Sequence, residues 1–199
     1  EYDTPVKVGE SVAVIGAGNV AMDSARCAVR LQNAVGIKSG EVHVIYRRSR
    51  DEVPARIEEF HHAEEEGIIF DFLTSPVEIL GNGDGIVSGI RCMRMKLGEA
   101  DSSGRRQPIP VEGSEFEIKA DTVIMALGTS PNPVVFTDEE NLERTKRGTV
   151  ISDPETGRTS KKRLWAGGDV VTGSATVISA MGAGKRAAAD INKFLSGQN

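Results

Sequence analysis

Cysteine is scarce: the 199 residues contain two, Cys27 and Cys92, far apart. They make no disulfide framework, no Cys-x-x-Cys pair and no metal-ligand set, which excludes a dithiol–disulfide exchanger. With so few, a reducing, cytoplasmic setting is expected, and both thiols read as buried structural groups. No apolar run exceeds strand length, so no membrane span is expected. The N-terminus, Glu1-Tyr-Asp-Thr-Pro5, has neither a basic nor an apolar region and does not read as a signal peptide. It also lacks an initiator Met, so the chain is expected to be cut from a longer protein. Positive charge is in deficit, with a net charge of −5, which argues against a nucleic-acid partner. Histidine is rare too: His61-His62 lie on a charged segment and His43 in a strand pattern, without ligand spacing, so no metal is expected. No internal repeat or low-complexity segment occurs. The rest, 39% apolar and 27% charged, is ordinary globular material, enough for one large domain or two small ones.

The most informative segment is Val12-Ala-Val-Ile-Gly16-Ala-Gly18-Asn-Val-Ala21-Met-Asp23. A short apolar run ends in Gly-x-Gly-x-x-Ala, and a helix-forming segment begins at once, which is the strand–turn–helix context of a dinucleotide fingerprint. Gly16 permits the tight turn, Gly18 lets backbone reach a pyrophosphate without a Cβ in the way, and Ala21 lets helix pack close to strand. The helix N-terminus offers unpaired N–H groups and a positive dipole end to phosphates.

The pattern continues as a strand over 11–16 and a helix over 19–32, with Val20, Ala25, Cys27, Ala28 and Leu31 read as its apolar positions. A strand over Val42–Tyr46, a charged helix over Ala55–Glu66 ending at Gly67, and a strand over Ile68–Leu73 follow. This β-α-β-α-β order with near-continuous apolar strands implies an α/β fold with a Rossmann-like parallel sheet covered on both faces. Then the period changes. Val77–Leu80, the Gly81–Gly85 turn and Ile86–Leu97 read as a hairpin, followed by a polar loop over 98–107 and a strand near Glu115–Lys119. These are expected to form an antiparallel β flap on the parallel sheet. Asp121–Leu127 reads as another buried strand, and a boundary is expected at Gly128. Beyond it, short strands over Gly148–Ser152 and Arg163–Ala166 precede Gly167-Gly168-Asp169. A last helix, from about Ala175 to Leu195, carries Val177, Met181, Gly184, Ala188, Ile191 and Leu195 on one face.

The end of the second strand selects the nucleotide. An NAD-binding unit carries an acid there for the ribose 2′-hydroxyl. Here the residues are Tyr46-Arg47-Arg48-Ser49-Arg50; Asp51 and Glu52 come later in the loop, and Glu41 sits at the strand's other end. Guanidinium forks match phosphate geometry, so NADP(H) is favoured over NAD(H). Two such contacts, discounted for exposure, favour the 2′-phosphate by roughly 2–4 kcal/mol, about 30- to 1000-fold.

Several segments together resemble the NADPH-binding domain of the glutamate synthase small (beta) subunit and related NADPH-dependent flavin oxidoreductases. They are Val14–Asp23, Tyr46-Arg-Arg-Ser49, Glu52-Val-Pro-Ala-Arg56, Gly113–Phe116, Ala126–Asn132 and Trp165–Val170; the likeness runs from about Val6 to Phe194. It implies a thioredoxin reductase-like architecture in which the NADPH domain is inserted into a split FAD-binding domain. The implied division is a linker at 1–10, an NADP(H)-binding domain at 11–127, and the C-terminal segment of the split FAD-binding domain at 128–199. By resemblance Gly16, Gly18, Asn19 and Val20 hold pyrophosphate, and Arg47 and Arg48, assisted by Arg56, hold the 2′-phosphate. Gly128 lies towards the nicotinamide side. Asp169, after Gly168, bonds a ribitol hydroxyl of FAD, and the backbone at Thr176 and Val177 faces the flavin.

Two departures from that family matter. No first Gly-x-Gly-x-x-Gly for FAD and no cysteine-rich iron–sulfur region precede the fingerprint here. The second, FAD-type Rossmann-like lobe is therefore expected to be incomplete. Gly182–Ala187 fits Gly-x-Gly-x-x-Ala on paper but falls within the last helix. The resemblance implies hydride transfer from NADPH to FAD, with electrons passed to iron–sulfur centres, a glutamate synthase large subunit or another redox subunit. The missing N-terminal FAD and iron–sulfur half is then the principal partner, and the fragment alone is expected to be inactive. That transfer requires no side-chain acid or base, so no catalytic residue is assigned. An NADP(H)-binding sensor or interaction module without chemistry is the alternative, with Asp169 counting against it. A stand-alone short-chain dehydrogenase would need Tyr-x-x-x-Lys, which neither Tyr2 nor Tyr46 provides. Glu64-Glu-Glu66 reads as a solvated helix end and Trp165 as a core residue. Apolar residues left exposed on the last helix would favour self-association.

Overall fold

Val12, Ala13, Val14 and Ile15 are all buried because β1 (Ser11–Ile15) is an inner strand with a cover on each face. The computed structural model describes residues 7–100, 104–132, 134 and 141–197, and most of the expected 1–10 linker lies outside them. After β1 come α1 (Asn19–Ala34), β2 (Glu41–Ile45), a 3-10 turn at Arg50–Glu52, α2 (Ile57–Glu65) and β3 (Ile69–Asp71). With β7 (Thr122–Met125) these strands form a parallel sheet of order β3-β2-β1-β7. Alternate residues feed two cores, as the period of 2 requires. Val12, Val14, Val42 and Val44 meet Ala21, Met22, Ala25 and Ala28 of α1 and Phe60 and Ala63 of α2. Ala13, Ile15 and Ile45 face Ile90, Cys92, Phe116 and Ile118.

Those last four residues belong to the antiparallel sheet of β4 (Thr74–Gly81), β5 (Val87–Ala100) and β6 (Arg106–Lys119). The flap expected from the sequence is thus present, with its hairpin turn at Asn82–Gly85. Its far end differs from expectation. Much of the supposed loop at 98–107 is strand, since β5 runs to Ala100 and β6 starts at Arg106; residues 101–103 lie outside the described set. Pro108 and Pro110 lie within β6, which is an edge strand, where proline fits. The expected buried strand at 121–127 is shorter and half-exposed because β7 is also an edge.

Three local readings are corrected. The buried side of α1 is Ala21, Met22, Ala25, Ala28 and Gln32, whereas Val20 and Cys27 face solvent. Gln32 was unexpected there; its Nε2 donates to the Gly9 and Glu10 carbonyls and ties the incoming chain to the helix. The acidic end of α2 is not simply solvated: Glu66 binds Arg26 and Arg30, and Glu64 binds Arg50.

The chain divides into two compact units, 1–127 and 128–199. The second has a small core in which buried Leu142 and Val150 pack with Leu164, Ala166, Val170 and Val171. Its expected strands reduce to single bridges, Arg144 with Val150, Ser152 with Thr159 and Arg158 with Trp165. A one-turn helix, α3 (Asp169–Thr172), leads to α4 (Val177–Leu195). The side of α4 that packs is not the one its apolar pattern indicated. Ala180 and Ala183 lie against Gly168 and Gly167, Ala187 against Gly157, and Phe194 edge-on to Trp165. Asp190, on that same face, accepts from Trp165 Nε1 at 2.7 Å and Arg158 Nε at 2.6 Å. Val177, Ile178, Met181 and Leu195 are exposed instead. Small residues allow close backbone approach, a signal that a hydrophobicity pattern undervalues.

Candidate functional site

The first candidate site grows out of the turn after β1. Gly16 has φ +123° and donates its amide to the Ile45 carbonyl. A Cβ on Gly16 would stand 2.4 Å from the Ala126 carbonyl oxygen, so glycine is demanded twice, by conformation and by the approach of β7. Gly18, the N-cap of α1, has an ordinary φ of −81°, and a Cβ there would meet no atom within 4 Å among the described residues. Asn19 and Val20 follow in the first turn, both exposed, and their amides have no intrahelical acceptor. Ala21 is fully buried against the sheet.

A second segment, 46–56, is fastened beside this turn. Ala55 N–H donates to the Ala17 carbonyl at 3.2 Å, and Arg56 N–H to Asn19 Oδ1 at 2.9 Å. Within the segment, the Glu52 carboxylate accepts from both the amide and the hydroxyl of Ser49, and Tyr46 Oη donates to the Glu52 carbonyl. One of the two acids that follow β2, Glu52, is therefore folded back into its own loop, while Asp51 is exposed. The Ser-x-x-Glu spacing that permits this was legible in the sequence.

The arginines divide by partner. Arg50 is bound to Glu64 and lies over the Phe60 ring, 4.8 Å from its centroid. Arg48 donates Nε to the Arg106 carbonyl of β6 at 3.0 Å. Arg47 and Arg56 are exposed, and their guanidinium groups have no partner among the described residues. Gly16, Gly18, Asn19, Val20, Arg47, Arg48 and Arg56 are thus gathered at the C-terminal edge of the parallel sheet and the start of α1, where open α/β sheets bind ligands.

The remaining site residues lie in the second unit. Gly168 is buried with φ +73° and ψ −154°, a conformation restricted to glycine, and a Cβ there would press on Ala180. Asp169 Oδ1 accepts the Ala175 amide at 3.2 Å, which sets the carboxylate next to the start of α4. Thr176 caps that helix, its hydroxyl oxygen accepting from Ser179 N–H, and Val177 opens the first turn. Asp169, Thr176 and Val177 therefore form one local group. Gly128 is exposed at φ +86° in the irregular segment after β7. Among the described residues no cluster of His, Cys, Asp and Glu could hold a metal ion.

The profile of the pyridine nucleotide-disulphide oxidoreductase family matches residues 2–184, and the chain belongs to that family. It is a family of NAD(P)-dependent flavoproteins, with NADP(H) and FAD as the cofactors the resemblance implied. The beta subunit of the NADP(+)-dependent formate dehydrogenase of Moorella thermoacetica is 46% identical over 191 residues, which are 96% of this chain and 26% of that protein. The glutamate synthase [NADPH] small chain of Azospirillum brasilense is 40% identical over 188 residues, 94% of this chain and 37% of that one. Thioredoxin reductase from T. acidophilum has the same fold, with a TM-score of 0.69 at 22% identity, over 92% of this chain and 52% of that one. The chain thus spans well under half the length of these two sequence relatives. The family's name mentions a disulphide, yet Cys27 is exposed on α1 and Cys92 is buried between the flap and the parallel sheet, so these two thiols form no redox pair.

Proposed function

We propose that this chain is the NADPH-binding part of a flavin-dependent oxidoreductase in which hydride passes from NADPH to FAD. The observation that carries the reading is Gly18. Among the described residues nothing stands within 4 Å of a Cβ placed there, so the turn is open to a ligand lying against it. Gly16, Gly18, Asn19 and Val20 would hold the pyrophosphate at the start of α1, where free amides and the helix dipole favour an anion. Arg47, with Arg48 and Arg56, would hold the 2′-phosphate. The fold-back of Glu52 supports that choice, because it turns one of the two acids that follow β2 away from a 2′-hydroxyl.

Bound flavin supplies the hydride acceptor. Toward it, Asp169 would accept a ribitol hydroxyl, and the first-turn amides of α4 at Val177 would face the ring edge that becomes negative on reduction. Gly128 would border the nicotinamide. The residues bind and orient, and no side chain moves a proton.

The unit 11–127 is read as the NADP(H) domain and 128–199 as the C-terminal segment of the FAD domain. Since the sequence holds a single fingerprint, these 199 residues should bind NADP(H), hold FAD weakly and show no turnover alone. Electrons would leave toward iron–sulfur centres, a glutamate synthase large subunit or another redox subunit. The two relatives' names, a formate dehydrogenase subunit and a glutamate synthase chain, support a multi-subunit setting. The two unbridged thiols fit a reducing cytoplasm.

Calorimetry with both nucleotides tests the reading. Wild type should prefer NADPH to NADH, and Arg47→Ala with Arg48→Ala should lose about 30- to 1000-fold in NADPH affinity and little for NADH. Equal losses for both would sink the assignment of the arginines.

A further inference from the structure

Asn19 faces two ways. Its Oδ1 accepts the Arg56 amide at 2.9 Å, and the Ala17 carbonyl, two residues earlier, accepts the Ala55 amide. Successive amides, 55 and 56, are thereby pinned to the turn formed by residues 17–19. Arg56 itself is the N-cap of α2, so the bond fixes both the start of that helix and the root of the Arg56 side chain. With Oδ1 so engaged, Asn19 Nδ2 is left exposed at the first turn of α1, with no partner among the described residues. One short side chain therefore holds the Arg56 backbone with one atom and leaves the other open at the start of α1.

We infer that Asn19 is a positioning residue for nucleotide selectivity, holding Arg56 where it can meet the 2′-phosphate, in addition to any contact with pyrophosphate. The inference rests on the proposed NADP(H) site. A pyrophosphate contact alone serves NADPH and NADH equally, because both carry that group. A bond that places Arg56 serves only the nucleotide with the extra phosphate, so loss of the bond shows in the ratio of affinities. Neither the fingerprint nor the arginine run reveals this link, since the two partners are 37 residues apart and meet only in the folded chain.

The experiment is calorimetry of NADPH and NADH on wild type, Asn19→Ala, Asn19→Asp, Arg56→Ala and the Asn19→Ala/Arg56→Ala double variant. Asn19→Ala should lower the NADPH-to-NADH affinity ratio about 5- to 10-fold, the scale of one exposed charge-assisted contact. Adding Asn19→Ala to Arg56→Ala should leave the ratio where Arg56→Ala alone put it. Asn19→Asp retains the acceptor for the Arg56 amide, so it should keep the wild-type ratio while weakening both nucleotides through charge repulsion. An unchanged ratio in Asn19→Ala, or the same fall in the Arg56→Ala background, overturns the inference and leaves the NADP(H) site standing. A wild-type chain that binds neither nucleotide overturns the proposed function itself.

Discussion

His43 Nδ1 lies 2.7 Å from Asp71 Oδ2, on adjacent parallel strands, with the imidazole mostly covered. The hydrogen bond to Asp71 raises the His43 pKa above its ordinary value of 6.5; burial opposes it, and Glu41 adds to it. Such a histidine binds its proton more tightly folded than unfolded. Its contribution to stability is complete below pH 6.5 and is lost as pH rises through the folded pKa. Denaturation midpoints should therefore fall across that window in wild type and be flatter in Asp71→Asn. NMR titration of the ring should show the raised value return toward normal in the variant. A His43 that titrates at 6.5 in wild type would refute the pairing.

Gly16 and Gly18 should separate stability from binding. Gly16→Ala forces a side chain into φ +123° and against the Ala126 carbonyl, and should cost about 2–4 kcal/mol by chemical denaturation. Gly18→Ala meets no chain atom and should change stability by under about 1 kcal/mol, while NADPH affinity drops at least roughly tenfold. A destabilised Gly18→Ala, or one that binds normally, would remove the main support for the nucleotide site.

The close contact of Gly167 with α4 yields a third expectation. A Cβ at Gly167 would stand 2.8 Å from Ala183 Cβ, so Gly167→Ala should destabilise the second unit by about 1–3 kcal/mol. Trp165 fluorescence reports it, because that indole is bound to Asp190 on the same helix. An unshifted transition would mean that α4 does not pack on this glycine.

Acid should release that helix by another route. Arg158, and then Trp165, hold the Asp190 carboxyl below its ordinary range of 3.8. Stability from this cluster is present above the unfolded pKa and is lost as pH falls through the lower folded one. Trp165 emission should change in that acidic window in wild type and be insensitive to it in Asp190→Asn.

The two cysteines should differ in reactivity. Cys27 is exposed, whereas burial pushes the Cys92 thiol up to about 11. A thiol reagent at neutral pH should label one site quickly in the native chain and both in denaturant. Fast labelling of both would contradict the packing of the flap on the parallel sheet that buries Cys92.

Much of the unit up to Leu127 was readable along the chain, because fingerprint, strand runs and the Arg47-Arg48 pair are local signals. The fate of Cys27 was not, since helical period alone does not say which stripe of a small-residue helix turns inward. β6 was hidden by Pro108 and Pro110, whose effect depends on being at an edge, a property of the assembled sheet. The face of α4 was misjudged for a related reason. Its larger apolar residues lie outward, and Ala180, Ala183 and Ala187 succeed inside because glycines stand opposite them.

By itself the amino-acid order determined the α/β alternation, the glycine turn at Gly16–Gly18 and the excess of guanidinium groups after β2, all set by neighbouring residues. Only the tertiary structure decided which of those guanidinium groups remain uncommitted. Glu64 takes Arg50, the Arg106 carbonyl takes Arg48 Nε, and Asn19 anchors the backbone of Arg56. These are bonds between residues distant in sequence, and their partners become neighbours only when sheet, helices and flap have packed.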